Sequence, residues 1–395
     1  MPFDFDHIID RRHSNSVKWN AFDNDVLPMW VADMDFMSPQ PIQDALRSAV
    51  EHGVFGYDQA PIRGLTGIVA ARMKTLYGWD IEEQAVIPVT GLVSGFYASA
   101  TSLCQPGDGY VIQPPVYMPF NDLQKHLGII RQEAQLARVL NSGLIHYEID
   151  WNMFENAFNS GGSSTRMFLL CNPHNPTGQV YSRDDLARMA GICLENKTVI
   201  VSDEIHSELL LNGGRHTPVA AISPEIGDRS ITLIAPSKTF NIAGLFCGFA
   251  IIPNPELREN YKTAVARMTL HVSGLAQVAA QAAFSGECDD WLTGLLAYLT
   301  ANRNFMVDFV QKNLPGIRVT VPEATYLAWL DCSELIRNGR IDGNPTKFFL
   351  EKARVALNDG AAFGTGGENF VRLNFGCPRE LLLDGLQRMK MAVYG

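Results

Sequence analysis

Ala235-Pro236-Ser237-Lys238-Thr239-Phe240-Asn241-Ile242-Ala243-Gly244 decides how the chain is read, because it directly follows the apolar, β-branched run Ser230-Ile231-Thr232-Leu233-Ile234. That run predicts a buried strand, and a lysine flanked by a serine and a threonine stands at its exit. An ammonium buried without a partner is costly, and burial lowers an amine from its ordinary value of about 10.4. A neutral amine can condense with an aldehyde, so Lys238 is a candidate Schiff-base lysine. Taken alone, S-K-T is more often a surface lysine in a polar turn.

Three further stretches argue against that plainer reading. Asn172-Pro173-His174-Asn175-Pro176-Thr177-Gly178 follows the apolar run Met167-Phe168-Leu169-Leu170-Cys171. Asp203-Glu204-Ile205-His206 follows Thr198-Val199-Ile200-Val201-Ser202, and Arg372 lies within Phe370-Val371-Arg372-Leu373-Asn374-Phe375. In order and spacing these resemble the signature residues of fold-type I pyridoxal 5′-phosphate (PLP) enzymes, the class I/II aminotransferase superfamily. The resemblance implies an α/β fold of the PLP-dependent transferase type. That fold has a mostly parallel central sheet with helices on both faces and a smaller α/β subdomain.

Composition is compatible with such an enzyme. A chain of 395 residues is too long for one simple core and suits a large and a small domain sharing a cleft. The formal charge of −10 and the scattered basic residues argue against nucleic acid or anionic membrane as partners. No apolar run reaches the roughly 18 residues of a membrane span, and Met1-Pro2-Phe3-Asp4-Phe5-Asp6 lacks the form of a secretory signal. The seven cysteines are widely spaced with no C-x-x-C pair, which favours a cytoplasmic protein with reduced thiols and gives no metal site.

Along the chain, 5–19 read as an irregular polar arm, 40–52 and 61–77 as helices, and 85–89 as a strand. Thr90-Gly91-Leu92-Val93 then opens a helix to about residue 104. Glycine at a helix start lets N–H groups approach an anion, so Gly91, Leu92 and Val93 form a candidate phosphate cup. Strands are expected at 109–112, within 129–149, at 167–171, 198–202, 230–235 and 247–252. Asp150 and Ser182 cap the helices that follow them. The domains expected are an arm, 1–45, belonging to the small domain; a large PLP-binding domain, 46–285; and a C-terminal small domain, 286–395.

The run Trp30-Val31-Ala32-Asp33-Met34-Asp35-Phe36 resembles one branch of the fold, the bacterial cystathionine β-lyase or C–S lyase group, where it borders the substrate pocket. The resemblance implies PLP as cofactor and Lys238 as its attachment point and base. It implies Asp203 facing the pyridine nitrogen, Tyr117 stacked on the ring, and Asn175 and His206 near the phenolic oxygen. Ser237 and the Gly91 cup are expected at the phosphate, with Arg372, Asn175 and Ala32 at the substrate. Tyr57 is expected to cross a homodimer to the partner's cofactor phosphate. His174 and Glu204 read as structural, the latter as a solvated neighbour of Asp203.

Two departures from the aminotransferase pattern bear on the reaction. Phe246 stands where aminotransferases commonly carry a phosphate-binding arginine, and His206 stands where they carry a tyrosine. The function implied is a PLP-dependent carbon–sulfur β-lyase acting on L-cystathionine and on cysteine S-conjugates. The alternatives are an aminotransferase and, from another class, a regulator of a transcription activator, as one branch member is.

Overall fold

The computed structural model describes residues 3–58, 61–162, 164–211 and 213–395. Two large sheets organise them, beside a small one that pairs Leu27–Pro28 with Val355–Ala356. The central one contains β1 (Val86–Val89), β2 (Gly109–Ile112), β3 (Ile130–Glu133), β6 (Thr165–Cys171), β7 (Val199–Asp203), β8 (Ser230–Ile234) and β9 (Gly248–Ile251). A hairpin, β4 (Ala137–Asn141) with β5 (Leu144–Glu148), falls between β3 and β6 in the chain. The central order is β1-β9-β8-β7-β6-β2-β3. Neighbours from β3 through β8 run parallel, and β9 is antiparallel to both β8 and β1. This is the mostly parallel α/β sheet expected.

Strand alternation explains the two helical layers. Met167, Leu169 and Cys171 of β6 pack with Leu92 and Phe96 of helix Leu92–Leu103 on one face. Phe168 and Leu170 pack with Leu186, Met189, Ala190 and Cys193 of helix Arg183–Glu195 on the other. Successive side chains of a strand point to opposite faces, so a run apolar at every position must be covered twice. Each fully buried Leu or Phe contributes about 1.5–3 kcal/mol to that arrangement. The helices are started by the residues expected: Asp150 accepts from the Met153 N–H at 3.0 Å, and Ser182 Oγ from the Asp185 N–H at 3.0 Å.

The second sheet holds β10 (Arg318–Thr320), β11 (Leu327–Asp331), β12 (Asn358–Asp359) and β13 (Phe370–Asn374), in the order β12-β13-β11-β10-β5-β4. It also takes in a hairpin that lies early in the chain. The hairpin of residues 137–148 lies inside the segment assigned to the large domain, but β5 pairs in parallel with β10, Val319 opposite Leu144. The expected limit at residue 45 falls within the continuous helix Gln40–His52. The helix expected from 61 begins at Leu65, after Gly64 in a left-handed conformation.

No helix among the described residues is long and apolar enough to cross a membrane. All seven cysteines are buried and free.

Candidate active site

The carboxyl ends of the parallel strands bring the candidate residues together, where open α/β sheets hold their ligands. Asp203 is the last residue of β7 rather than one just beyond it, and the Asn172–Gly178 turn follows β6. After β8, Pro236–Thr239 makes a single helical turn that presents Lys238. Ser237 precedes it in that turn, its carbonyl accepting from the Ile242 N–H at 3.0 Å. Arg372 arrives from β13 of the second sheet.

Lys238 Nζ donates to the Ala32 carbonyl at 2.7 Å. Burial lowers its ammonium from 10.5 to about 8; the Arg372 cation pushes the same way, and Asp33 and Asp203 oppose it. Burial pushes the Asp203 carboxyl up to about 7, although the Ile205 N–H at 3.1 Å and the Lys238 cation favour its charged form. His206 is held neutral, lowered to about 3 by burial and then by the cations of Lys238 and Arg372. Its Nδ1 is buried with no protein partner. Tyr117 lies near Asp203 and Arg372, and burial raises its hydroxyl above the ordinary value.

Arg372 is buried, and its guanidinium is held by neutral acceptors. Nη1 donates to Asn175 Oδ1 at 3.0 Å, and Nη2 donates to the Trp30 carbonyl at 3.0 Å and to Asn358 Oδ1 at 2.5 Å. The Phe363 ring lies 5.1 Å from its central carbon. None of the described carboxylates forms an ion pair with it, and burial lowers it to about 10. A planar fork in this setting suits an incoming carboxylate.

Gly91 has φ 94 and ψ 165, and no side chain caps the helix that begins at Leu92. The first-turn N–H groups of Leu92 and Val93 are therefore open to an anion. Phe246 is 66% exposed, and a Cβ built on Gly91 would stand 4.0 Å from its ring. At the position of the usual arginine the chain thus supplies an aromatic edge and no charge. Tyr57 is not part of this cluster. It is fully exposed and borders a groove of about 890 Å³ shared with Val54, Phe55, His271 and Leu275.

Two neighbours differ from or go beyond the sequence reading. Glu204 is not solvated: it is 1% exposed, accepting from Ser202 Oγ at 2.9 Å and the Val219 N–H at 3.1 Å and pairing with His216 Nε2 at 2.8 Å. It follows Asp203 directly, so the alternating strand direction turns it into the interior behind the site. His174 is structural as expected, joined to Thr177 Oγ1 and the Gln113 carbonyl. Sequence reasoning passed over Tyr326, whose hydroxyl donates to the Ala32 carbonyl at 2.9 Å and whose ring meets His206 edge-on at 6.1 Å. No local motif marks it beyond its place at the start of a strand.

These features fit a pyridoxal phosphate. An amine shifted toward neutrality, a buried carboxylate open to a ring N–H, an unpartnered imidazole nitrogen and an uncapped helix start are what its aldehyde, pyridine, phenolic oxygen and phosphate require. The sequence model described as aminotransferase class I and II matches residues 31–389, and the chain belongs to that family. A cystathionine β-lyase, PatB, of Bacillus subtilis is 38% identical over 98% of this chain and 99% of its own length. The PLP-bound C–S lyase of Staphylococcus hominis superposes with a TM-score of 0.91 at 32% identity, covering 100% of this chain and 98% of that one. PLP-containing cystalysin from Treponema denticola gives a TM-score of 0.90 at 32% identity, covering 99% of each chain. Within the fold-type I PLP enzymes, this is the cystathionine β-lyase and C–S lyase branch.

Proposed function

We propose that the enzyme is a cytoplasmic carbon–sulfur β-lyase that splits L-cystathionine, and cysteine S-conjugates, into a thiol such as homocysteine, pyruvate and ammonia. The observation that carries the reading is a buried lysine amine and a buried arginine held only by neutral acceptors, the two side chains hydrogen-bonded to the nearby carbonyls of Ala32 and Trp30 and the arginine's cation adding to burial in lowering the amine's pKa. Arg372 takes the substrate's α-carboxylate, with Asn175 fixing the plane of the fork. Bound PLP supplies the electron sink that makes the Cα–H bond acidic.

Lys238 Nζ, held by the Ala32 carbonyl, then takes the Cα proton, and the resulting ammonium can return a proton to the sulfur that leaves Cβ. Asp203 holds a proton on the ring nitrogen opposite it. Over about 4 Å such a pair is worth roughly 4 kcal/mol at an effective dielectric of 20 and only about 1 in water, so its burial matters. His206 stays neutral and can donate or accept at the phenolic oxygen. Tyr117 fixes the ring plane by stacking, worth about 1 kcal/mol. Gly91, Leu92, Val93 and Ser237 hold the phosphate.

Phe246 favours elimination over transamination. A transaminase must retain an untethered pyridoxamine phosphate in every cycle, whereas a lyase returns the cofactor to Lys238. Incubation with L-cystathionine should release pyruvate without accumulating pyridoxamine phosphate; accumulation without pyruvate sinks the reading. Lys238→Ala should lose nearly all turnover and, after borohydride reduction and peptide mapping, all label at position 238.

The proposed assembly is a homodimer in which Tyr57 serves the partner's site. The fully exposed Tyr57, with Val54 and Phe55 exposed beside it, supports this.

A further inference from the structure

Residues 30–36 form neither helix nor strand, yet side chains from distant elements take most of the carbonyls in the run. Trp30 O accepts from Arg372 at 3.0 Å, and Val31 O from Asn374 Nδ2 at 2.6 Å. Ala32 O accepts from Lys238 and Tyr326, and Asp33 O from Asn374 Nδ2 at 2.7 Å. Asn241 Nδ2 reaches Met34 O at 2.9 Å and Phe36 O at 2.7 Å, while its Oδ1 accepts from the Met34 N–H at 2.9 Å. Lys238 belongs to the lysine turn beyond the central sheet and Asn241 follows that turn; Arg372 and Asn374 belong to β13 of the second. The segment therefore ties the lysine-bearing end of the central sheet to β13 of the second.

A charge cluster grips the segment from its other side. Asp35, 3% exposed, accepts from Lys18 Nζ at 2.6 Å, Arg11 Nη1 at 2.6 Å and Trp19 Nε1 at 2.8 Å. Arg11 also pairs with Asp33 at 2.9 Å and donates to Met34 O at 3.2 Å, and Lys18, 1% exposed, donates to Asp33 O at 3.2 Å. Apolar side chains of the same volume stabilise a core at least as well as buried ion pairs do, so stability alone is a weak reason for this cluster. Charged hydrogen bonds fix direction and register, which apolar packing does not.

We propose that Arg11, Lys18 and Asp35 are positioning residues: they lock Trp30–Phe36 as a spacer that sets the separation of the Lys238 amine from the Arg372 guanidinium. With the α-carboxylate on the arginine, that separation decides where Cα stands relative to the base. The inference rests on the lyase reading above for its kinetic consequence. Its geometric content stands on the hydrogen bonds alone.

The test is made on holoenzyme carrying Arg11→Met, Arg11→Lys or Asp35→Asn. Arg11 lies at the rim of the cluster, with 21% side-chain exposure, so its removal leaves the Lys18–Asp35 pair in place. For Arg11→Met, kcat with L-cystathionine is expected to fall about tenfold to a hundredfold, with a smaller change in KM. The pH midpoint of the bound cofactor's visible absorbance is expected to move by about half a unit or more. Arg11→Lys should recover part of kcat, and Asp35→Asn should exceed Arg11→Met in both effects.

A folded, cofactor-loaded Arg11→Met with wild-type kcat and absorbance midpoint overturns the proposal. So does a loss of kcat that only follows lost cofactor content and thermal stability. If Asp35→Asn does not fold, Arg11→Met decides. If wild-type enzyme releases no pyruvate from L-cystathionine, the lyase reading fails, and the absorbance midpoint still judges the spacer.

Discussion

At the scale of the residue, protonation sets the terms for Lys238. As the proposed base it would act in its neutral form, so activity is expected to rise with pH through its pKa and to be lost as pH falls below it. Burial and the Arg372 cation bring that pKa from 10.5 to about 8. A substrate carboxylate landing on Arg372 removes one of those causes, so the rising limb of kcat should lie between about 8 and the unshifted value of about 10.4. His206, lowered to about 3, adds no limb between pH 5 and 7. A kcat profile with its acid limb well below 7 would deny Lys238 the role of base. Lys238, Asp203 and Arg372 stood out as candidates because each is an ionisable group beside an apolar run and together they resemble the signature of a known family; none stood out by residue identity alone. The burial of Glu204 was not legible in the same way, since its partner His216 lies twelve positions onward.

At the scale of the element, the start of helix Leu92–Leu103 offers a clean comparison of backbone against packing. With φ 94 and ψ 165, Gly91 occupies a region essentially restricted to glycine. An added Cβ meets nothing closer than 4.0 Å, so Gly91→Ala is opposed by backbone conformation and not by crowding. The strain of about 1–3 kcal/mol would tilt the Leu92 and Val93 N–H groups away from the anion. Extended dialysis should then strip PLP from Gly91→Ala at least about tenfold more readily than from wild type, as measured by bound cofactor per chain. Elements of this kind were legible because apolar period, caps and glycine all agree on them. The 30–36 segment was legible only as a motif, since its contribution is made by backbone carbonyls, which every residue carries and no sequence distinguishes.

At the scale of the whole molecule, the proposed dimer predicts a result that no single subunit can give. Lys238→Ala and Tyr57→Ala chains are each expected to be weakly active. Dissociated and remixed, they form hybrids in which one site carries both lesions and the other neither. Random pairing should restore up to about a quarter of wild-type activity. No gain on mixing would mean that Tyr57 serves its own chain or none. The central sheet was readable at this scale because its strands are consecutive apolar runs with helices between them. The second sheet was not: its β5–β10 pairing joins residues 144 and 319, and nothing local in either strand names the other.

That same hairpin has a bearing on how the chain is born. When Leu144–Glu148 leaves the ribosome, the strand that will lie beside it is about 170 residues from being made. At roughly 5–20 residues per second, the wait is on the order of 10–30 s. Throughout that interval an unpaired edge is offered to any other nascent chain.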